Sequence, residues 1–155
     1  MKKLICILLF ISSFVSSQND FLLESYDRPI LEAAVNGQTV YVLIDTGSSL
    51  NVLDIEMLDK LAVEKRFRLN RVVTLGAEHD MWHIRKAEVS VKARRVTQFI
   101  ASDIKVVRES ILQATGIKIA GILGTPAIKE LKMIIDLSRG IVTINKNSDT
   151  TVSTD

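Results

Sequence analysis

Val40–Ser49 reads VYVLIDTGSS, an apolar run that ends on Asp45-Thr46-Gly47-Ser48. Five of the six residues from Thr39 to Ile44 are apolar or aromatic, and Val40, Val42 and Ile44 are β-branched. That composition suits a strand buried on both faces better than a helix. The run delivers a carboxylate to a place where water is scarce, which is costly unless the acid is hydrogen-bonded or paired.

Immediately upstream, RPILEAAV (28–35) and QTVYVLID (38–45) flank Asn36-Gly37. Both turn residues tolerate the positive φ of a type I′ turn, so the pattern predicts a hairpin whose second arm carries Asp45. Downstream, NVLDIEMLDKL (51–61) places Val52, Ile55, Leu58 and Leu61 at helical spacing behind Asp54, a residue suited to capping, and predicts a short helix.

Alternation then predicts strands over Arg66–Val73, over Trp82–Val91 and through Arg94–Ile104, with Arg94-Arg95 as a solvated turn. Between the first two, Leu75-Gly76-Ala77-Glu78-His79-Asp80-Met81 reads as a projecting hairpin. Lys105–Thr115 fits neither period cleanly. A second informative block, IKIAGILGTPAIKELKMIIDLSRGIVTI (117–144), predicts an apolar strand ending in Gly121-Ile122-Leu123-Gly124. A short helix opened by Pro126 and a strand pair turned at Ser138-Arg139-Gly140 follow it.

The ends bound the mature protein. Lys2 and Lys3 precede a short apolar run from Leu4 to Val15, and Ser16-Ser17 supply small residues for cleavage, so residues 1–17 are expected to be a secretory signal peptide. The run is too short for a comfortable bilayer span, and no stable membrane anchor is expected after cleavage. Residues 18–27 form a lead-in in which Phe21-Leu22-Leu23 suits an edge strand. Residues 28–145 are expected to form one domain, and the polar residues 146–155 a disordered tail.

Of 20 basic and 18 acidic residues, only Lys2 and Lys3 fall in the signal, which leaves 18 of each sign. A balanced chain gives no reason to expect nucleic acid as a partner. The single cysteine, Cys6, also lies in the signal, so the mature domain has neither a disulfide nor a cysteine metal site. His79 and His83, four apart beside Glu78 and Asp80, lack a well-placed third ligand; they are read as solvated hairpin residues, and no metal is expected. Met81 and Trp82 suit either a groove wall or packing at the hairpin base.

VLIDTGSS followed by AGILGTPAIK, in this order of hairpin, strand, motif, glycine element, helix and closing strands, resembles the retropepsin-like aspartic proteases. The likeness covers roughly residues 28–145. It implies a mainly β fold, a retropepsin-like half-barrel with one or two short helices, and an aspartic endopeptidase that uses no cofactor. It also implies roles for individual residues. Asp45 is the catalytic carboxylate, and Thr46 braces paired loops beneath the dyad. Gly47 aims its N–H at the acid, and Ser48 bonds the outer carboxylate oxygen. Ile122, Leu123 and Gly124 support the loop, and Leu75, Gly76 and Ala77 belong to the flap.

Asp-Thr-Gly occurs once, whereas the family's chemistry uses two facing aspartates. The resemblance therefore implies a homodimer acting on a peptide or protein substrate, in a secreted or periplasmic setting. Another class keeps the fold without the activity, as a dimeric binding or scaffolding domain whose Asp45 loop serves assembly. A small monomeric binding domain would follow if the motif were coincidental.

Overall fold

The computed structural model describes residues 20–25, 28–69, 72–74 and 77–145. The segments expected to be signal and tail, and the hairpin-tip residues Leu75 and Gly76, lie outside the described residues. The first strands are β1 (Asp20–Leu22), β2 (Ile30–Val35), β3 (Gln38–Ile44) and β4 (Asn51–Asp54). A 3₁₀ turn at Ile55–Met57 leads to β5 (Glu64–Arg68), β6 (Val72–Thr74), β7 (Ala77–His79) and β8 (Met81–Arg85). Then come β9 (Val89–Val91), β10 (Arg94–Val96), β11 (Phe99–Ser102) and helix α1 (Lys105–Thr115). The remaining elements are β12 (Ile119–Leu123), helix α2 (Thr125–Glu130), β13 (Met133–Asp136) and β14 (Ile141–Ile144).

Nine strands form one sheet in the order β10-β9-β2-β3-β12-β4-β11-β8-β5, and β1-β14-β13 form a second. The edge strand expected around Phe21 is β1, paired antiparallel with β14. Strand alternation splits the large sheet's side chains between two cores. Leu31, Leu53 and Leu123 belong to the larger one, and their neighbours Ile30, Val52 and Ile122 to a smaller one with Ile104 and Ile111. The sheet is covered on both sides, which explains why β3 and β12 read as continuous apolar runs.

The Asn36-Gly37 hairpin is present, with φ of 49° and 78°. Asn36 also ties the turn to its surroundings. Its Nδ2 donates to Leu61 O (2.8 Å) and Lys86 O (2.7 Å), and its Oδ1 accepts from the Glu88 N–H (2.8 Å). Asn36→Ala is expected to cost about 2 kcal/mol, lowering the thermal midpoint by roughly 5–10 °C in a calorimetric scan.

Four expectations are corrected. Residues 51–61 are not a helix: Asn51–Asp54 form β4, buried along its whole length between β12 and β11, and only a 3₁₀ turn follows, with Asp54 Oδ1 accepting from the Glu56 N–H at 3.1 Å. The apolar period of three belongs to a strand, a turn and two buried leucines in succession. Trp82–Val91 is two strands, broken at Lys86 where φ is 56°. Arg94-Arg95 lies in β10, and the turn is Lys92-Ala93, with φ of 48° and 63°. His83 is not a solvated hairpin residue: it sits in β8, stacked on Phe67 with ring centroids 4.8 Å apart, with Nδ1 buried.

The β13–β14 turn at Ser138-Arg139-Gly140 is held by Asp136, whose Oδ1 accepts from Ser138 Oγ (2.6 Å) and the Arg139 N–H (3.1 Å). The Ser138 hydroxyl, followed by the Arg139 amide, lowers the Asp136 carboxyl below its ordinary value. A carboxyl depressed on folding stabilises the fold above its unfolded pKa, and that contribution is lost as pH falls through the folded pKa. The stability difference between wild type and Asp136→Asn, measured by urea titration, is therefore expected to shrink from pH 6 towards pH 2.

Candidate active site

The strands that flank the Asp45 loop are not neighbours. Strand β3 leads into the loop and β4 leads out, yet β12 lies between them, parallel to β3 and antiparallel to β4. Residues 45–50 therefore arch over the C-terminal end of β12. The pairing Leu123↔Ile44 continues into Asp45, whose N–H donates to Leu123 O at 2.9 Å.

Asp45 is half-buried, and the Gly47 N–H donates to its Oδ1 at 2.8 Å. A Cβ on Gly47 would stand 3.2 Å from that oxygen, which presses on the contact. Thr46 and Gly47 are exposed at the tip of the loop. Thr46 makes no side-chain hydrogen bond among the described residues, so the bracing contact that the resemblance implies is not seen within this chain. Ser48 departs from the expected contact: its hydroxyl donates to Leu50 O at 2.8 Å and stabilises the loop rather than the carboxylate. The Ser48 carbonyl accepts from the backbone N–H (2.8 Å) and hydroxyl (3.2 Å) of Thr125 at the start of α2.

Ile122, Leu123 and Gly124 are brought beside the loop as the end of β12. The fit at Gly124 admits no side chain, since a Cβ there would meet Leu50 O at 2.3 Å and Ser48 O at 2.7 Å.

The residue that sequence reasoning missed is Asn51. It is fully buried, and its Oδ1 accepts from the N–H groups of Gly124 (3.0 Å) and Ala127 (3.2 Å) while its Nδ2 donates to Thr97 O (2.9 Å). One carboxamide thus joins the outgoing end of the Asp45 loop to the glycine element, to α2 and to the approach to β11. Its available signal was position, two residues beyond Ser49 in a run otherwise apolar.

Beside the loop lies a cleft of about 420 Å³, lined by loop residues from Gly47 to Leu50, by Val52 and Met81 on the sheet, and by the segment from Ser102 to Val107. Met81 is thus a groove residue, whereas Trp82 packs against the larger core. The projecting hairpin is β6–β7, in which Ala77 pairs with Thr74. Its base is fastened where the Ser102 hydroxyl donates to Asp80 O at 3.1 Å and Arg68 pairs with Asp80.

Comparison with known proteins adds three findings. A family model described as Aspartyl protease matches residues 31–127, a span holding the Asp45 loop, the cleft and the glycine element. Among curated proteins there is no match. Two solved structures share the fold, each with a TM-score of 0.52. The retroviral protease-like domain of Ddi1 from Leishmania major is 16% identical over 76% of this chain and 87% of that one. A retropepsin-like aspartic protease from Rickettsia conorii is 18% identical over 81% and 89%.

Proposed function

The chain belongs to the aspartyl protease family, and from that premise we propose that it is an aspartic endopeptidase active as a homodimer, with Asp45 of each copy facing the other across a two-fold axis. One observation supports the reading above the rest. Asp45 stands half-buried at the end of a strand, with one oxygen already held by the Gly47 amide and with residues 47–50 of its loop lining an apolar cleft, in a chain that has a single Asp-Thr-Gly. A second carboxylate has to come from a second copy.

In such a pair, two carboxylates at close range cannot both ionise, so they share one proton. The ionised carboxylate takes a proton from a water as its oxygen attacks the peptide carbonyl carbon, while the protonated one donates to the carbonyl oxygen. Collapse of the tetrahedral diol passes a proton to the amide nitrogen and breaks the C–N bond. A carboxylic acid and an amine leave, and the pair again holds one proton. The Gly47 amide orients Asp45 throughout, and the bonds from Thr125 and Asn51 hold the loop that carries it. The reading of residues 1–17 as a signal peptide supports a secreted or periplasmic setting for this activity, and the substrates are peptides or proteins.

The test is mass in solution. Light scattering from nanomolar to high micromolar concentration, with and without a peptide isostere bearing a hydroxyl at the scissile position, is expected to give a dimer that the isostere tightens. A monomer at every concentration, with the isostere present, would sink the proposal.

A further inference from the structure

The cleft has one wall that does not belong to the sheet. Its floor and far side are the loop, Val52 and Met81, but its near side is the first turn of α1, where Lys105, Val106 and Val107 line the opening. Val106 is 83% exposed and Val107 37%, an apolar pair presented at the mouth rather than packed. At the start of this turn the Lys105 N–H donates to Asp103 Oδ1 at 2.8 Å, a local bond within an exposed loop, while Ile104 offers no side-chain cap, so the orientation of the turn against the sheet must be set from elsewhere.

The next residue is Arg108, and it is 6% exposed. Its guanidinium pairs with Asp54, which is wholly buried at the end of β4, and reaches Glu56 at 2.6 Å through its other terminal nitrogen. Burial alone would favour the neutral arginine, but the hydrogen bond and charge of Asp54, followed by those of Glu56, keep it charged. A buried ion pair is seldom more stable than an apolar replacement of similar volume, so stability does not account for it. The planar guanidinium supplies direction instead, because donors fixed to two carboxylates set both the height and the rotation of the helix.

We propose that Arg108 is a positioning residue for substrate: anchored to Asp54 and Glu56, it sets the first turn of α1 as the cleft wall, so that Val106 and Val107 meet the aliphatic side chains of an extended peptide. Peptide as the occupant rests on the proteolytic reading. The anchoring of the wall does not.

The test reads binding separately from cleavage. The probe is an oligopeptide with a hydroxyl-bearing isostere at its centre and leucine side chains on either side, titrated by calorimetry. In Asp54→Leu/Arg108→Met no buried charge is orphaned. The expected result is a thermal midpoint close to wild type, with probe affinity about tenfold weaker and the amide resonances of Lys105, Val106 and Val107 shifted. Arg108→Lys, which keeps a charge but not the fork, is expected to recover part of the affinity. Should the double variant fail to fold, Glu56→Gln removes only the half-exposed arm and is expected to weaken the probe about threefold.

Unchanged probe affinity in a folded variant overturns the inference, as does a wild-type chain that does not bind the probe. Digestion of a peptide library separates the two readings. Cleavage by wild type together with unchanged affinity in the variants overturns the positioning role alone. Weakened affinity in a chain that cuts nothing overturns proteolysis and supports the wall.

Discussion

Asp45→Asn is expected to suppress peptide cleavage, lowering kcat by roughly 10²–10⁴-fold, the scale of a positioned general acid and base. Its dimer mass and thermal midpoint are expected to stay close to those of wild type. The asparagine keeps the shape of the side chain, and its Oδ1 can still accept from the Gly47 N–H now seen at 2.8 Å. What it removes is the ability to take a proton from water. In a homodimer the change falls on both halves of the pair at once, so no wild-type carboxylate remains to act alone. Cleavage of a peptide library followed by mass spectrometry, alongside light scattering, measures both quantities. Retained cleavage by a purified Asp45→Asn dimer would remove the carboxylate from the mechanism. Absence of cleavage by either form, with the dimer intact from acid to neutral pH, would turn the reading to a binding or scaffolding domain.

The largest effect on stability is expected at Asn51. Replacing it by leucine fills a similar volume but strands three backbone groups, the N–H of Gly124, the N–H of Ala127 and the carbonyl of Thr97. Gly124 and Ala127 are buried whereas Thr97 is exposed, and each buried group left without a partner costs about 1–3 kcal/mol, so a total of roughly 2–6 kcal/mol is expected. That is a large share of the stability of a domain this size. Asn51→Asp keeps the acceptor, loses the donor and buries a charge, so it too is expected to be destabilising. Urea unfolding followed by circular dichroism measures the loss. A change below about 1 kcal/mol for Asn51→Leu would mean that water or a shifted backbone replaces the carboxamide. Because Gly124 supports the loop, any folded Asn51 variant is also expected to lose cleavage beyond its loss of stability.

How far the sequence could be read depended on whether a residue's chemistry matched its burial. Strand β3, the Asn36-Gly37 turn, the Gly121–Gly124 element and the β13–β14 hairpin were legible because apolar residues lie inside them and turn formers at their ends. Helix α1 was not. Its buried seam runs through Ile104, Arg108 and Ile111, and a charged residue at the middle position hides the helical period. In β4 the buried Asn51 and Asp54 gave the strand polar ends, and the apolar spacing that followed imitated a helix. Sequence patterns report transfer from water, whereas these polar groups are buried by specific partners far along the chain. Asp45 and its loop were visible as a motif. The carboxamide that supports them was not, nor was the buried ion pair that anchors α1.

The insertion of β12 between β3 and β4 also bears on when the site can exist. Asp45 is fixed through Leu123, and the loop through Gly124 and Thr125, residues made some seventy to eighty positions later. Contacts of such separation form only after a long chain closure has been met, so they come late relative to local hairpins. A growing chain that has already formed the Asn36-Gly37 hairpin still has no organised Asp45 loop. The chain's own synthesis thus imposes a delay, and the Asp45 loop stays unorganised until β12 and the start of α2 have been made.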